Sequence, residues 1–248
     1  MPQFCANLTM LFTEYPFLER FAAAKAAGFD AVEILFPYDV AAPEIIRELK
    51  RNDLTLALIN CPPPNYVDEP RGFAAVAGSR FRTDFKRALR VAKALGAHHL
   101  HLMAGVADGQ DALSVFRDNL AWAAGQAPEQ SLTIEPINRD DMPGYFLADF
   151  DVAADIIRDV NAPNLRLQFD AYHAQKIEGD AVAVWQKHKD IVAHVQVGQT
   201  PHRHEPDAGE IDYPAFFDML DQDGFTGWVS GEYHPAGRTE EGLGWIVG

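Results

Sequence analysis

Residues 165–197 read LRLQFDAYHAQKIEGDAVAVWQKHKDIVAHVQV and contain two apolar runs that each lead to a polar residue able to bind a metal. The run Leu165–Phe169 precedes Asp170, and the run Ile191–Val195 precedes Gln196. A helical pattern lies between the two runs, and strands that alternate with helices form parallel sheets. This stretch therefore predicts a strand, a helix and a second strand parallel to the first.

Two further apolar runs, one on each side of this stretch, end in the same way. Residues 132–134 lead to Glu135, and residues 228–229 lie just before Glu232. Along the chain the four polar residues are separated by 35, 26 and 36 positions, which corresponds to one strand-plus-helix unit each. Because the carboxyl ends of parallel barrel strands meet at one face, the usual active-site face of a (β/α)8 barrel, we expect these four side chains to converge there.

Strand-like and helix-like patterns alternate over the whole chain. The predicted strands are Phe4–Leu8, Ala31–Leu35, Leu54–Ile59, His98–Met103, Leu132–Glu135, Leu165–Asp170, Ile191–Val197 and Trp228–Glu232. The predicted helices are Tyr15–Ala27, Pro43–Asn52, Ser79–Leu95, Asp111–Ala127, Asp151–Val160, Ala181–His188 and Tyr213–Leu220. A doubly wound sheet would carry a glycine-rich phosphate loop after its first strand, and residues 9–12 contain no glycine. We therefore predict an α/β protein, a (β/α)8 TIM barrel, with residues 1–248 forming a single domain.

Composition and charge restrict the classes of partner. The formal net charge is −15, which opposes binding to nucleic acid or to an anionic membrane, since both require a positive field. No apolar run approaches the roughly 18 residues of a membrane span, and we expect no signal peptide. Cys5 and Cys61 follow no metal or disulfide spacing and are interpreted as small buried hydrophobes. We expect a cytoplasmic protein with a small-molecule substrate.

The loop after the third strand, residues 60–78, is longer than an ordinary connection and contains three successive prolines. Long loops in compact domains are usually functional or mobile. Arg71 in this loop is one candidate for binding a carboxylate of the substrate. Arg203, seven residues after Gln196, is the first candidate, because a guanidinium binds a carboxylate through two parallel hydrogen bonds.

Histidines supply weaker signals. His99 and His101 alternate on the fourth strand, and we expect one of the two to face the barrel interior. An H-x-H pair can bind zinc, but it needs a third ligand, and a histidine inside a barrel can be satisfied by hydrogen bonds. We interpret His101 as lining the pocket and not as part of a second metal site.

The four polar strand ends predict chemistry only when they are taken together. A single glutamate at a strand end is most simply a salt-bridge partner, but several buried carboxylates without partners are expensive. A shared divalent cation resolves this, and carboxylate and amide oxygens suit Mg²⁺ or Mn²⁺. Such a cation, bound by adjacent carbonyl and hydroxyl oxygens of a substrate, stabilises an enediolate. Glu135 and Glu232, on opposite sides of the site, could then move the proton as base and acid.

Four motifs resemble the hydroxypyruvate isomerase family. That family belongs to the xylose-isomerase-like barrels, together with the 2-oxo-tetronate isomerases and the ketose 3-epimerases. The four motifs are EPIN at 135–138, FDAYHAQ at 169–175, HVQVGQ at 194–199 and RHEPDAGE at 203–210. The resemblance implies metal ligands at Glu135, Asp170, Gln196 and Glu232, and proton transfer by the two glutamates. Likeness to the epimerases implies that His173 and Arg203 hold the substrate. Those epimerases have a histidine in place of Gln196, a difference that favours the isomerase branch.

Our first hypothesis is a metal-dependent ketol isomerase that converts hydroxypyruvate to 2-hydroxy-3-oxopropanoate, or acts on a 2-oxo-tetronate. A ketose 3-epimerase or inosose-type dehydratase on the same barrel is the alternative. A zinc-dependent endonuclease would need more histidine ligands and a basic groove, and a binding barrel without catalysis is a further alternative. Barrels of this kind often associate, so a homodimer or homotetramer is expected.

Overall fold

Within residues 2–61 and 72–246, which the computed structural model describes, eight parallel strands close into a barrel in chain order, with β8 paired to β1. The strands are β1 Gln3–Asn7, β2 Ala31–Glu33, β3 Thr55–Asn60, β4 His99–His101, β5 Ser131–Ile134, β6 Leu165–Asp170, β7 Val192–Val197 and β8 Trp228–Gly231. This confirms the predicted TIM barrel. All eight predicted strands overlap an observed one, although β2 and β4 are shorter than predicted.

Eight α-helices surround the barrel in the same described ranges, one more than the sequence pattern predicted. They are α1 Arg20–Ala26, α2 Ala42–Arg51, α3 Arg80–Leu95, α4 Gly109–Gln126, α5 Phe150–Val160, α6 Ala171–Glu178, α7 Ala181–His188 and α8 Tyr213–Gln222. The same ranges contain the 3₁₀ helices Phe17–Glu19, Lys189–Ile191 and Thr239–Ile246. The predicted helix from Tyr15 therefore starts later, because its first part is the 3₁₀ turn.

Helix α6 is the element that the sequence pattern did not predict. It begins directly after β6 with no connecting loop, and the Asp170 carboxylate accepts a hydrogen bond from the Tyr172 backbone N–H at 2.8 Å. An aspartate in this position satisfies one of the free N–H groups of the first helical turn. Gly179, with φ of 77°, ends the helix in the left-handed conformation. Asp170 thus has a structural partner as well as a place in the candidate site.

Three other helices also begin at an aspartate that accepts a backbone N–H, namely α5 at Asp149, α7 at Asp180 and α8 at Asp212. These caps fix where each helix starts relative to the preceding strand or helix. Part of the acidic composition of the chain is therefore explained by local helix geometry and not by ligand binding.

The main apolar core lies between the strands and the helices. Phe169 on β6 packs against Phe150 of α5, Trp185 of α7 and Phe216 of α8, with ring centroids 5.7, 5.5 and 6.1 Å away. The side of β6 that faces into the barrel is polar, since Gln168 and Asp170 are both buried there. This division places the candidate chemistry inside the barrel and the stabilising packing outside it.

Among the described residues, no helix is both long and apolar enough to span a bilayer. Cys5 and Cys61 are free and buried, in agreement with their interpretation as small hydrophobes. Burial raises the pKa of both thiols above its usual value.

Replacing Trp185 by alanine should lower the free energy of unfolding by about 3–5 kcal/mol, because it opens a large cavity in the outer core. It also removes the hydrogen bond of 2.8 Å that the indole N–H donates to Asp223. Urea unfolding followed by far-UV circular dichroism measures the change. Val182→Ala on the same helix is the control, since Val182 is 42% exposed, and it should change stability by less than about 0.5 kcal/mol. Equal losses in the two variants would contradict this account of the core.

Candidate active site

The predicted ligands lie at the carboxyl ends of β5 to β8. Asp170 and Gln196 are paired residues of neighbouring strands, while Glu135 and Glu232 follow the last residues of β5 and β8 directly. The Glu232 backbone N–H donates to the Val197 carbonyl at 3.0 Å, which continues the barrel pairing through this residue. All four side chains therefore project from one rim of the barrel.

Two hydrogen-bonded groups bring the four predicted ligands together. The amide N–H2 of Gln168 donates to Glu135 Oε2 at 3.1 Å and to Gln196 Oε1 at 2.7 Å. The Arg203 Nη2 group donates to Asp170 Oδ2 and to Glu232 Oε2, both at 2.6 Å. The four residues are almost inaccessible, with at most 7% of their surface exposed. The convergence that the spacing predicted is therefore present.

The two glutamates are electrostatically unusual. Burial raises the pKa of the Glu135 carboxyl well above its usual range, and the carboxylates of Glu232 and Asp170 raise it further. Burial likewise raises the pKa of Glu232, although the Arg203 guanidinium opposes the shift. A carboxyl group with a raised pKa retains its proton at a pH where an exposed glutamate is ionised. Both carboxyl groups therefore hold a proton more strongly than an exposed glutamate does.

The donor set fits a hard divalent cation. Asp170 and Glu232 converge on one positive charge, the Arg203 guanidinium, so this point of the barrel is one where a cation is stabilised. Glu135 Oε1 is buried with no hydrogen-bond partner, as an oxygen reserved for a further ligand would be. The oxygen of Gln196 has two lone pairs and can face a cation while it accepts from Gln168. Carboxylate and amide oxygens together favour Mg²⁺ or Mn²⁺ over softer metals.

His173 lies against the same group, with atoms of Glu135, Asp170 and His173 all within 4.8 Å of one another. Its Nδ1 receives the Asn138 amide N–H2 at 2.7 Å, and that amide is oriented because its own oxygen accepts from the Asp141 backbone N–H. Burial lowers the pKa of His173 to about 4, so the ring is neutral and its proton is on Nε2. Nε2 lies 3.6 Å from Asp170 and 3.9 Å from Glu135. In this tautomer His173 presents an N–H, and not a lone pair, to the two carboxylates, although the three residues lie close enough together to hold a metal ion.

Whereas His173 carries its proton on Nε2, His101 carries its ring proton on Nδ1. Its Nδ1 donates to the Asn60 amide oxygen at 3.1 Å, which leaves the lone pair on Nε2. This Nε2 is buried without a hydrogen-bond partner and lies 3.6 Å from Glu135 Oε2. Burial lowers the pKa of His101 to about 3, so the ring stays neutral. An acceptor and a donor histidine thus flank the same glutamate.

The expectation that one of His99 and His101 faces the interior is wrong, because both do. His99 lies 5.5 Å, between ring centroids, from His194, and His194 donates to the buried Glu33 carboxylate. Residues two apart on a strand share one face, so an H-x-H pair on β4 points both rings the same way. His99 lies lower in the barrel and His101 lies at the candidate site.

Arg203 is held rigidly in the loop after β7. Its backbone φ is 54°, a left-handed conformation that is rare for a residue with a side chain. Its Nε donates to the Glu232 carbonyl at 3.1 Å, and its guanidinium lies 4.9 Å from the centre of the Tyr172 ring. A Cβ at Gly198 would lie 3.2 Å from Arg203 Cγ and 3.1 Å from the Glu232 carbonyl oxygen, which is closer than most Cβ contacts, so the approach favours glycine. The partners of Arg203 are carboxylates of the protein itself, and Arg71 lies outside the described residues.

Sequence reasoning missed Glu33, which is hydrogen-bonded to three other residues of the barrel interior. Glu33 ends β2, is fully buried, and accepts hydrogen bonds from Asn7 at 2.7 Å, Gln196 at 2.8 Å and His194 at 2.7 Å. Its signal was present, since it is the single charged residue in the apolar run 31–35. Gln168 was missed too, because a glutamine inside a strand has no spacing rule that distinguishes it.

Comparisons with known proteins agree with this geometry. A family model described as a xylose isomerase-like TIM barrel matches residues 21–247. The chain is 45% identical to a 2-oxo-tetronate isomerase of Cupriavidus necator, covering 99% of this chain and 98% of that protein. It is 37% identical to the hydroxypyruvate isomerase of Escherichia coli, with the same coverage of 99% and 98%. The names of these relatives confirm the prediction that the chain is an enzyme of the isomerase class.

A solved structure of similar sequence also resembles the whole chain. It is a crystal structure from Brucella melitensis described as an AP endonuclease of family 2, with a TM-score of 0.96 and 43% sequence identity. The likeness covers 100% of this chain and 98% of that one. The barrel and its connections are therefore shared over the full length.

Replacing Arg203 by glutamine should destabilise the metal-free protein by about 3–5 kcal/mol, because it leaves Asp170 and Glu232 as buried carboxylates without their cation. The loss should grow with pH. The pKa of Glu232 is already raised above its ordinary value of 4.5 in the folded state, so ionisation costs stability as the pH rises past about 4.5. Without Arg203 that pKa rises further. Urea unfolding at pH 5 and at pH 8, in the presence of a chelator, measures both losses.

Arg238→Gln provides the control for this prediction. Arg238 and Glu240 form an ion pair of 3.7 Å whose side chains are 56% and 37% exposed. Exposed pairs contribute little, so the change should stay below about 0.5 kcal/mol at either pH. A loss in Arg203→Gln that is equally small, or that shrinks from pH 5 to pH 8, would refute the proposed charge balance.

Proposed function

This chain belongs to the hydroxypyruvate isomerase family of xylose isomerase-like TIM barrels, and from that premise we propose that it is a metal-dependent ketol isomerase of small carboxylated hydroxy-keto compounds. A 2-oxo-tetronate and hydroxypyruvate are the proposed substrates. The 2-oxo-tetronate comes first, because the relative with 45% identity carries that name and the relative with 37% is named for hydroxypyruvate. The isomerisation moves a hydrogen between adjacent carbons that bear a carbonyl and a hydroxyl group.

The observation that carries the proposal is the pair of buried glutamates with raised pKa values, Glu135 and Glu232. Ketol isomerisation needs one group to remove a proton from carbon and one to return a proton to the neighbouring position. A raised pKa brings a carboxyl group closer to the working pH, where a general acid or base is most efficient. We propose that these two residues share the roles of base and acid while one oxygen of each contacts the cation.

Glu135, Asp170, Gln196 and Glu232 would hold the divalent cation, Mg²⁺ or Mn²⁺. When bound, such a cation supplies Lewis-acid chemistry by polarising the adjacent carbonyl and hydroxyl oxygens of the substrate. The protein side of the reaction consists of binding, orientation and proton transfer, which the remaining residues provide.

His101 and His173 would orient the substrate through their opposite polarities. His173 Nε2 carries a proton and can donate to a carbonyl oxygen, whereas His101 Nε2 carries a lone pair and can accept from a hydroxyl group. Because Glu135 lies 3.6 Å from His101 and 3.9 Å from His173, it is flanked by both. This arrangement would distinguish the carbonyl oxygen from the hydroxyl oxygen of a hydroxy-keto unit, with Glu135 between the two histidines that bind them.

Arg203 would bind the substrate carboxylate. Its hydrogen bonds to the protein use Nε and one terminal nitrogen, Nη2, and a guanidinium has five N–H donors in all. We propose that the Nη1 group binds the substrate carboxylate. Any Nη2 hydrogen that a bound cation would release from Asp170 or Glu232 would bind it as well. Arg71 remains a second proposed contact on the basis of its position in the sequence.

The remaining partners follow from charge and composition. A net charge of −15 supports a role without nucleic-acid or membrane partners, and it weighs against the endonuclease activity named for the Brucella protein. Two free, buried thiols fit a reducing cytoplasm. A homodimer or homotetramer remains the proposed assembly.

The direct test is turnover of 2-oxo-tetronates and hydroxypyruvate by chelator-treated protein, with and without Mg²⁺ or Mn²⁺. We expect activity that returns only with metal and falls about 10²–10⁴-fold in Glu135→Gln and in Glu232→Gln. Glu178→Gln, an exposed glutamate at the end of α6, should retain full activity. Full activity in both site variants, or turnover of neutral ketoses in place of the acids, would reject the proposal, and the second outcome would favour an epimerase.

The role of His101 is tested by comparing two ligands that differ in one hydroxyl group. His101→Phe removes the acceptor, so binding of hydroxypyruvate should weaken by about tenfold, the value of one hydrogen bond. Pyruvate, which lacks the hydroxyl, should inhibit the wild type and the variant with similar inhibition constants. His98→Phe, at the exposed His98 next to β4, is the control. An equal loss of affinity for hydroxypyruvate and for pyruvate would show that His101 does not bind the hydroxyl group.

A further inference from the structure

Glu33 lies at the centre of the hydrogen bonds beneath the proposed metal site. It belongs to β2, on the other side of the barrel from the strands that carry the four proposed ligands, and none of its surface is exposed. An ionised carboxylate only accepts hydrogen bonds. Every group that points at Glu33 must therefore present a hydrogen, and this fixes the orientation of each one.

The first group oriented in this way is the Gln196 amide. Its Nε2 donates to Glu33 Oε1 at 2.8 Å, so its oxygen must face the other way. That oxygen accepts from Gln168 Nε2 at 2.7 Å, and the second hydrogen of the same Nε2 points to Glu135 Oε2 at 3.1 Å. Gln196 thus donates to Glu33, and Gln168 donates to both Gln196 and Glu135, so the two amides connect Glu33 to Glu135.

The second group is the Asn7 amide. Its Nδ2 donates to Glu33 Oε1 at 2.7 Å and lies 3.4 Å from Glu232 Oε1. Its oxygen accepts from the Thr9 backbone N–H at 2.9 Å, which excludes the flipped amide. Three of the four proposed ligands are therefore connected to Glu33, Gln196 directly, Glu232 through one amide and Glu135 through two.

We propose that Glu33 is the positioning residue of the metal site, which turns the Gln196 carbonyl oxygen and the Glu135 and Glu232 carboxylates toward the cation. The inference rests on the proposed function, since it concerns the same site. A flipped Gln196 amide would present hydrogens to a cation and would not bind it. Residues behind the ligands of metal sites commonly hold them in this way, and their loss typically weakens metal binding 10–100-fold.

Two substitutions separate hydrogen-bond geometry from charge. Glu33→Gln keeps the length of the side chain and one acceptor oxygen for Asn7 and Gln196. Its N–H2 group then faces His194, whose Nδ1 is buried without a partner and can carry the ring proton instead. Glu33→Asp keeps the charge but withdraws both oxygens by one methylene. If Glu33 acts by geometry, the glutamine variant should perform better than the aspartate variant.

The experiment measures Mn²⁺ dissociation constants of chelator-treated proteins by isothermal titration calorimetry. We expect Glu33→Asp to weaken binding by about 10-fold or more and Glu33→Gln by less than about threefold. In a Gln196→Leu background the effect of Glu33→Asp should be smaller than in the wild-type background, because one of the two amides through which Glu33 acts is absent. Thermal unfolding of each metal-free variant verifies that the fold is retained.

The outcomes distinguish this inference from the proposed function. Three results would overturn the positioning role and leave the metal site standing. They are equal Mn²⁺ affinities of the wild type and Glu33→Asp, weaker Mn²⁺ binding by Glu33→Gln than by Glu33→Asp, and an effect of Glu33→Asp that is undiminished in the Gln196→Leu background. A wild-type protein that binds no Mn²⁺ or Mg²⁺ would overturn the metal-dependent function and, with it, this inference.

Discussion

The site depends on one electrostatic constraint, which is that carboxylates brought together inside a barrel need positive charge beside them. Asp170 and Glu232 are both in contact with the guanidinium of Arg203, and Glu135 is close enough for their charges to raise its pKa. Ionised groups lose most of their hydration on burial, so they remain charged only where a cation or several N–H donors replace the water. The amides of Asn7, Gln168 and Gln196 supply such donors. The polar interior of the barrel is thus one connected system.

The fold could be predicted from the sequence because a barrel repeats the same pattern. Each strand-like run that ends on a polar residue carries weak information, and regular separations of 35, 26 and 36 positions reinforce it. The predicted convergence followed from topology alone, since parallel strands present their carboxyl ends on one face. Helix α6 was not predicted because Asp170, the last residue of β6, is also its N-cap. A short helix that directly follows a strand contains too few residues to show a clear helical periodicity.

The hydrogen-bond polarity of the site could not be predicted from the sequence. His101 and His173 are the same residue type, yet one is an acceptor and the other a donor toward Glu135, because Asn60 and Asn138 approach them with opposite ends of their amides. Nothing in residue spacing specifies which end of an amide faces a ring. Glu33 illustrates the same limit, since a charge within an apolar run indicates a buried carboxylate but not its partners.

The position of Arg203 has a consequence for the order in which ligands bind. A divalent cation and the guanidinium both require Asp170 and Glu232, so entry of the cation would release N–H donors of the arginine. An anionic substrate needs those same donors. Metal and substrate would then promote each other's binding, and linkage requires that each raise the affinity of the other by the same factor. The strained backbone of Arg203, with φ of 54°, keeps the side chain within reach of either partner. Metal and substrate would in this way be thermodynamically coupled through the Arg203 side chain as well as through their direct contact.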